Sequence, residues 1–187
     1  LKMLDVAFTG IDHVGLAACR ERGVTVCNAA NYSNQTVAEL AIGLTIGLLR
    51  HMLPADRAVR EGKTSAGLMG REIAGRTVGI VGTGRIGMIT AKLFQAFGAK
   101  VIAYSRPHRP EAEALGIRYV ELDELMRESD IVSLHVPNNA NTCGMIGRAQ
   151  IDAMKPTALL INCARGPIVD AAALADALNE GRIAGAG

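Results

Sequence analysis

The chain has 187 residues, of which 49% are hydrophobic and 20% are charged, and its formal net charge is +2. This length supports one well-buried core with a modest appendage, and the composition is that of a globular protein. The near-neutral charge, the lack of a long basic run and an aromatic content of only 3% argue against nucleic acid as a main partner.

Residues 1 to 27 predict a strand, a helix and a second strand. An apolar segment from Val6 to Thr9 precedes a turn at Gly10, a helical pattern covers 14 to 22, and an apolar strand covers 24 to 27. So short a piece cannot close a core of its own. We therefore expect it to be a fragment of a second domain whose remainder lies outside the chain, and we expect the chain to be truncated at both ends.

Residues 28 to 76 predict a long linking helix and then an irregular, glycine-rich connection. The helical pattern runs from Gln35 to about Gly62, and Pro54 predicts a kink or a split in it. Its longest apolar run, 37 to 49, is shorter than the roughly 20 residues that a membrane-spanning helix needs, so we expect no membrane partner.

Two glycines of this linking helix, Gly43 and Gly47, lie one turn apart on the same face. Small residues in this arrangement let another helix cross closely. The crossing helix belongs either to the same subunit, which is the alternative we favour, or to a second subunit of a homodimer.

From residue 77 onward, strand and helix patterns alternate to the end of the chain. The predicted strands cover 77–81, 100–104, 117–120, 130–136, 157–163 and 183–187, and the predicted helices cover 85–97, 110–115, 122–128, 147–154 and 170–180. Continuous apolar strands between helices are typical of a parallel sheet that is buried on both faces. The sequence therefore predicts an α/β fold with a doubly wound, Rossmann-like parallel sheet over residues 77 to 187.

The first of these strands ends in the glycine turn Gly82-x-Gly84-x-x-Gly87. This spacing suits a dinucleotide, because Gly82 permits a tight turn, Gly84 lets the backbone approach a pyrophosphate, and Gly87 lets the next helix pack against the strand. The N-terminus of that helix also favours the negative charge of the phosphates.

Ligands of such sheets bind outside the carboxyl ends of the strands, so the residues that follow each strand are candidates for the site. After the second strand, Ser105 stands where NAD-binding proteins usually place an acid, and Arg106 follows it. A serine beside an arginine accepts a 2′-phosphate that an acid would repel, so we expect NADP(H) to be preferred to NAD(H). The alternative is that Arg106 is only a solvated surface charge.

Two further candidates follow the fourth and fifth strands. We expect His135 to form a wall of the cofactor pocket rather than to carry a proton. Arg165 is the strongest catalytic candidate, because its planar guanidinium can hold a carboxylate and polarise a carbonyl; the alternative is a salt bridge to a neighbouring helix.

Cys163 has no residue placed to activate it as a nucleophile. The four cysteines lack metal-ligand spacing and predict a reduced, cytoplasmic protein without a metal site.

Taken together, these residues resemble the D-isomer-specific 2-hydroxyacid dehydrogenase family. The motifs occur in the order of the family and extend over most of the chain: Asn34-Gln-Thr-Val-Ala-Glu-Leu40, Gly70-Arg-Glu-Ile-Ala-Gly-Arg76, Gly82-Thr-Gly-Arg-Ile-Gly87, Ser129-Asp-Ile-Val-Ser-Leu-His-Val-Pro137, Met154-Lys-Pro156 and Leu160-Ile-Asn-Cys-Ala-Arg-Gly166. The resemblance implies two α/β domains around a cleft. Residues 77 to 187 would form the dinucleotide domain, and residues 1 to 27 would belong to a flavodoxin-like substrate domain.

The resemblance also implies a role for each site residue. Arg85 and Ile86 would cover the pyrophosphate, Ser105 and Arg106 would meet the adenosine ribose, Val136 and Pro137 would flank the adenine side, Thr142 would lie over the cofactor, Cys163 and Ala164 would stand beside the nicotinamide, and Arg165 would meet the substrate. Ser105 departs from the acid that NAD-dependent members of the family carry.

The reaction implied by the resemblance is hydride transfer between the nicotinamide and C2 of a 2-oxo or 2-hydroxy acid of the glyoxylate, hydroxypyruvate or phosphoglycerate type. We find no match to the Glu and His that move the proton, or to the glycine-containing loop that binds the substrate carboxylate. We therefore expect the chain to bind cofactor without turnover. Two alternatives stay open: a dinucleotide-sensing protein resembling corepressors, and a formate or phosphite dehydrogenase on the same scaffold.

Overall fold

The computed structural model describes all 187 residues as strands, helices and connecting loops. In chain order the elements are β1 (Met3–Val6), α1 (Leu16–Glu21), β2 (Thr25–Asn28), α2 (Asn34–Leu49), α3 (Met52–Arg60), β3 (Thr77–Val81), α4 (Arg85–Ala96), β4 (Lys100–Tyr104), α5 (Pro110–Ala114), β5 (Arg118–Tyr119), α6 (Leu122–Glu128), β6 (Ile131–Leu134), α7 (Arg148–Asp152), β7 (Leu159–Asn162), a 3-10 turn (Gly166–Ile168), α8 (Ala171–Asn179) and β8 (Gly185–Ala186). Each strand and helix predicted beyond residue 77 is present, with ends that differ by a few residues.

The six strands from β3 to β8 form one parallel sheet in the order β5-β4-β3-β6-β7-β8. This is the strand order of the Rossmann fold, so the predicted fold class is confirmed. The chain starts at β3, builds outward through β4 and β5, and then returns to the other side of β3 with β6. A crevice opens at the carboxyl ends of the strands where this order reverses.

The core consists of two apolar layers, one on each face of the sheet. Leu125 of α6, Ile151 of α7 and Ala173 of α8 pack on one face, while Ala41 of α2 and Phe94 of α4 pack on the other. The burial of both faces explains why the central strands read as continuous apolar runs rather than as alternating patterns.

The linking helix is split, as predicted, but the break lies upstream of Pro54. The helix α2 ends at Leu49, His51 adopts a left-handed conformation with φ of 52°, and α3 leaves at an angle of 58°. A proline ring clashes with the carbonyl of the residue four positions earlier, so a continuous helix could not pass Arg50. Pro54 instead occupies the first turn of α3, where it needs no partner for a missing N–H. No single helix is long and apolar enough to cross a membrane; only the bent pair of α2 and α3 passes that test of length and composition.

The favoured prediction for Gly43 and Gly47, a close helix crossing inside the subunit, is wrong. A Cβ added at either position would meet no atom of the chain within 4 Å. The helix α2 buries a different stripe, which includes Ala38, Ala41 and Thr45, against the sheet and α4. The glycine face of α2 therefore remains uncovered within one chain.

The N-terminal segment forms a separate two-stranded parallel sheet, in which Met3 of β1 lies opposite Thr25 of β2. Val6 is the only buried residue of this segment before Ala38 in α2. The strand expected at residues 6 to 9 lies three residues earlier, because Val6 is the last residue that pairs with β2. Residues 7 to 9 instead begin a loop that points the chain toward the crevice of the main sheet.

Candidate active site

The glycine turn after β3 forms the floor of the crevice. Gly82 has a φ of 98°, and a Cβ there would lie 2.8 Å from the carbonyl oxygen of His135. A Cβ at Gly87 would overlap the carbonyl oxygen of Gly82, so only glycine lets α4 pack this closely on the turn. Gly84, by contrast, faces open space, since a Cβ there would meet nothing within 4 Å.

The N-terminus of α4 presents unpaired donors next to this open space. The backbone N–H groups of Arg85, Ile86 and Gly87 make no hydrogen bond within the chain, and no side chain caps the helix. Three N–H groups and the helix dipole together attract an anion. The turn therefore fits a pyrophosphate, and the space in front of Gly84 leaves room for its approach.

A first cavity of about 380 Å³ runs from the glycine turn toward the end of β4. Its wall includes eight of the residues predicted for the cofactor: Gly82, Gly84, Ser105, Arg106, His135, Val136, Pro137 and Thr142. Arg106 is exposed and Ser105 is half-buried, so a ligand in this cavity can reach both side chains. Arg109 adds a second cation to the same wall.

A second cavity of about 460 Å³ lies beside the first and extends to Arg165. It is lined by Ile86, Cys163, Ala164 and Arg165 from the dinucleotide domain, and by Thr9, Gly10, Ile11 and Asp12 from the N-terminal segment. His135, Val136 and Pro137 line both cavities, so the two cavities adjoin at these residues.

His135 stands at the junction of the two cavities. Its Nε2 lies 2.9 Å from the hydroxyl oxygen of Ser133, which is fully buried in β6. Burial lowers the pKa of His135 from 6.5 to about 4, because the surrounding residues solvate the imidazolium poorly. The ring is therefore neutral at pH 7, which suits a cavity wall and a hydrogen-bonding group more than a proton carrier.

Arg165 is held in place by contacts with both parts of the chain. Its Nε donates to the Asp12 carboxylate at 3.1 and 3.3 Å, and its Nη1 donates to the carbonyl oxygen of Ala164 at 2.9 Å. Its hydrogen bonds come from Nε and Nη1, while Nη2 sits against Gly10, where a Cβ would overlap it. A salt bridge therefore exists, as one alternative proposed, but its partner is a loop residue rather than a helix.

The contact with Arg165 also affects the pKa of the Asp12 carboxyl group. A hydrogen bond from its own backbone N–H, and next one from Arg165, lower the pKa of the Asp12 carboxyl below its usual value, so it stays ionised. The Cys163 thiol behaves in the opposite way, because partial burial raises its pKa and keeps it protonated. Cys163 is therefore a neutral wall residue rather than a nucleophile. No group of three or more His, Cys, Asp or Glu side chains could hold a metal ion.

Two of the predicted cofactor residues line neither cavity: Gly87, which is buried, and Arg85. The side chain of Arg85 is exposed and donates to the side-chain oxygen of Asn31 in the loop between β2 and α2. Its backbone N–H still belongs to the helix N-terminus, so only the side-chain contribution differs from the prediction.

Sequence reasoning missed the loop from Thr9 to Asp12, which it treated as part of a fragment without a carboxylate-binding loop. This loop forms a wall of the second cavity, and the backbone N–H groups of Thr9, Gly10 and Ile11 make no hydrogen bond within the chain. A usable signal was present, because Gly10 follows β1 closely, just as Gly82 follows β3. The rule that ligands bind at the carboxyl ends of strands applies to both sheets.

The chain is similar to known proteins over its whole length. The family model described as D-isomer specific 2-hydroxyacid dehydrogenase, NAD binding domain, matches residues 42–187. Glyoxylate reductase of Thermococcus litoralis is 42% identical over 196 residues, which cover 100% of this chain and 59% of that protein. The structure of D-lactate dehydrogenase from Aquifex aeolicus with NAD and lactic acid is 36% identical, has a TM-score of 0.94, and is matched over 100% of this chain and 57% of its own.

A second solved structure carries the other cofactor. The acyclic imino acid reductase Bsp5, in complex with NADPH and D-Arg, is 36% identical with a TM-score of 0.92, over 100% of this chain and 61% of its own. These three relatives are named for reductase or dehydrogenase activities, and none of them is named as a corepressor or as a formate or phosphite dehydrogenase. The chain spans little more than half the length of these proteins.

Proposed function

The chain belongs to the D-isomer-specific 2-hydroxyacid dehydrogenase family, and we propose that it supplies the dinucleotide site and the substrate-orienting arginine of an oxidoreductase. In this proposal a hydride passes between the nicotinamide and C2 of a 2-oxo or 2-hydroxy acid. The observation that carries the proposal is the pair of adjoining cavities, which extend from the glycine turn past His135 to Arg165. A dinucleotide needs this kind of extended site across the point where the strand order reverses.

The residues at the far end of the crevice suit a carboxylate. Arg165 is fixed through Nε and Nη1, which leaves Nη2 available for an anionic ligand. The unpaired N–H groups of the loop from Thr9 to Ile11 line the same cavity and would add neutral donors. We propose that the substrate carboxylate binds between them, and that the neutral ring of His135 and the thiol of Cys163 shape the space for the nicotinamide. The bound nicotinamide would supply the hydride chemistry itself.

We propose NADP(H) as the preferred cofactor, because the end of β4 carries no acid to repel a 2′-phosphate. Ser105, Arg106 and Arg109 line the first cavity and give it two cations and a hydroxyl. One solved relative is in complex with NAD and another with NADPH, so the cofactor preference of this chain has to be measured as its affinity for each. Fluorescence titration of the chain with NADPH and NADH tests it: we expect tighter NADPH binding, and equal or tighter NADH binding overturns the preference.

The test of the function itself is a combined binding and turnover experiment. We expect the chain to bind NADPH but to reduce glyoxylate or hydroxypyruvate far more slowly than the roughly 1–1,000 s⁻¹ of ordinary enzymes, because no Glu–His proton-transfer pair lies in the crevice. Failure to bind either nucleotide would overturn the proposed function. Turnover at an ordinary rate would contradict only the requirement for the missing pair.

We also propose that the protein is a homodimer, as the glycine face of α2 suggests. This face includes Leu40 and Gly43, and it is followed on α3 by the exposed side chains of Met52, Leu53 and Val59. Large exposed apolar side chains on neighbouring helices are typical of a protein–protein contact. Sedimentation of the chain and of the L53E variant tests the proposal, with a dimer expected only for the unmodified chain. The cytoplasmic location remains a proposal supported by four free cysteines.

A further inference from the structure

The segment between β4 and α5 forms the wall of the first cavity but has little internal support. Arg106, Pro107 and Arg109 line that cavity, and residues 106 to 109 are all exposed. The backbone groups of residues 105 to 108 make no hydrogen bond with other backbone groups of the chain. The first hydrogen bond after Tyr104 is made by the backbone N–H of Arg109. On its C-terminal side the segment is held at Arg109, whose carbonyl oxygen accepts from the backbone N–H groups of Ala112 and Glu113 in α5 and whose own N–H has a separate partner.

Arg109 binds Tyr119, the last residue of the edge strand β5. The Arg109 N–H donates to the Tyr119 hydroxyl at 3.0 Å, and that hydroxyl donates to the side-chain oxygen of Thr83 at 2.9 Å. The Tyr119 ring also stacks on His108, with ring centroids 4.0 Å apart and an interplanar angle of 7°. One side chain thus contacts the segment at two successive residues.

Thr83, the last residue of this series of hydrogen bonds, lies in the glycine turn between Gly82 and Gly84. Thr83 is 1% exposed and also lines the first cavity, so the hydroxyl of Tyr119 bonds to a buried residue in the wall of that cavity. Tyr119 is itself fixed by the pairing of β5 with Ala103 of β4. Yet Tyr119 lines neither cavity.

We propose that Tyr119 is a positioning residue that ties the 105–109 segment to the glycine turn and thereby sets the discrimination between NADP(H) and NAD(H). The inference rests on the proposed function, because it assumes that the first cavity holds the adenosine half of a dinucleotide. The two cofactors differ only at the 2′ position, and the cations of the segment are the groups that can meet a phosphate there. Misplacing those cations weakens NADPH binding and leaves the pyrophosphate site of NADH intact.

The variant Tyr119→Phe removes the hydroxyl and keeps the ring that stacks on His108. We expect its NADPH dissociation constant to rise roughly 3- to 10-fold, the effect of one lost hydrogen bond, with less than about a twofold change for NADH. Thr83→Val should shift the ratio of the two constants in the same way, the double variant should shift it no further, and Thr83→Ser should retain the original ratio. Fluorescence titration of each chain with both nucleotides gives these ratios.

The matched control is Tyr32→Phe, which makes the same change at an exposed tyrosine of the N-terminal segment. Its ratio should equal that of the unmodified chain. Equal losses for NADPH and NADH in Tyr119→Phe, or an unchanged ratio, would overturn the positioning role. If the unmodified chain binds both nucleotides equally, the proposed preference fails, while the shift in Tyr119→Phe still decides the role of Tyr119. If it binds neither, the proposed function fails and this inference with it.

Discussion

The two halves of the crevice are held together in different ways. The cofactor half rests on β3, where the four residues from Val78 to Val81 are buried, and on a glycine turn in which the neighbours of Gly82 and Gly87 leave no room for a side chain. The substrate half rests on the loop after β1, in a segment with one buried residue, Val6. The first half is therefore positioned by the core of the domain, and the second by a few polar contacts on its surface.

This difference separates affinity for a cofactor from orientation of a substrate. The glycine turn cannot shift without disturbing two apolar layers, so its geometry is as stable as the fold. The loop from Thr9 to Asp12 meets the dinucleotide domain through an exposed ion pair between Asp12 and Arg165, and such pairs contribute little to stability. Changes in the first region should therefore affect folding, and changes in the second should affect the ligand.

Glycine-to-alanine substitutions in the two regions should have very different effects on the free energy of unfolding. Gly87→Ala places a methyl group on the carbonyl oxygen of Gly82, which is backbone and cannot move aside. We expect it to lower the free energy of unfolding by about 3–5 kcal/mol, in the range of severe overpacking. The matched control is Gly15→Ala, where the nearest atom to the added Cβ is 4.0 Å away, and a change within about 1 kcal/mol is expected. Urea denaturation of both variants measures the difference, and equal effects would contradict it.

The sequence predicts the cofactor half well, because its signals are local. Apolar runs between helical patterns define β3, β4, β6 and β7, and the rule for parallel sheets then brings Ser105, His135 and Arg165 to one edge. No comparable rule predicts that Asp12 meets Arg165, since the two residues are 153 positions apart and belong to different sheets. The break at His51 is missed for a related reason. Proline shows that the helix cannot continue but not which residue adopts the left-handed conformation.

Acid should destabilise the cofactor half through His135. The pKa of this residue is about 4 in the native protein and near 6.5 in an unfolded chain, so between these values the unfolded state binds the extra proton. Stability should therefore fall as the pH falls from 6.5 to 4, by about 3 kcal/mol from this group. Asp130, whose pKa is also lowered in the native state, adds loss in the same direction at lower pH.

Urea denaturation at a series of pH values isolates the contribution of His135. In His135→Asn the dependence on pH between 6.5 and 4 should be flatter by about 3 kcal/mol than in the unmodified chain. The variant His13→Asn, at an exposed histidine of the N-terminal segment, should keep the full dependence. An equally steep profile in His135→Asn would show that the histidine is protonated in the native state at these pH values.

The smallest effect on stability is expected at the contact that joins the two halves. Asp12→Ala removes an exposed carboxylate, so the thermal midpoint should stay that of the unmodified chain. Arg165 would keep its bond to Ala164 but lose the one at Nε, and its Nη2 would no longer be held against Gly10. We expect the NADPH complex to bind a substrate-like carboxylate such as oxamate roughly 3- to 10-fold more weakly, with NADPH binding unchanged. If oxamate instead bound more tightly, Asp12 would compete with the ligand for the Arg165 guanidinium rather than hold it in place. The Asp12 carboxylate would then occupy the position of the substrate carboxylate.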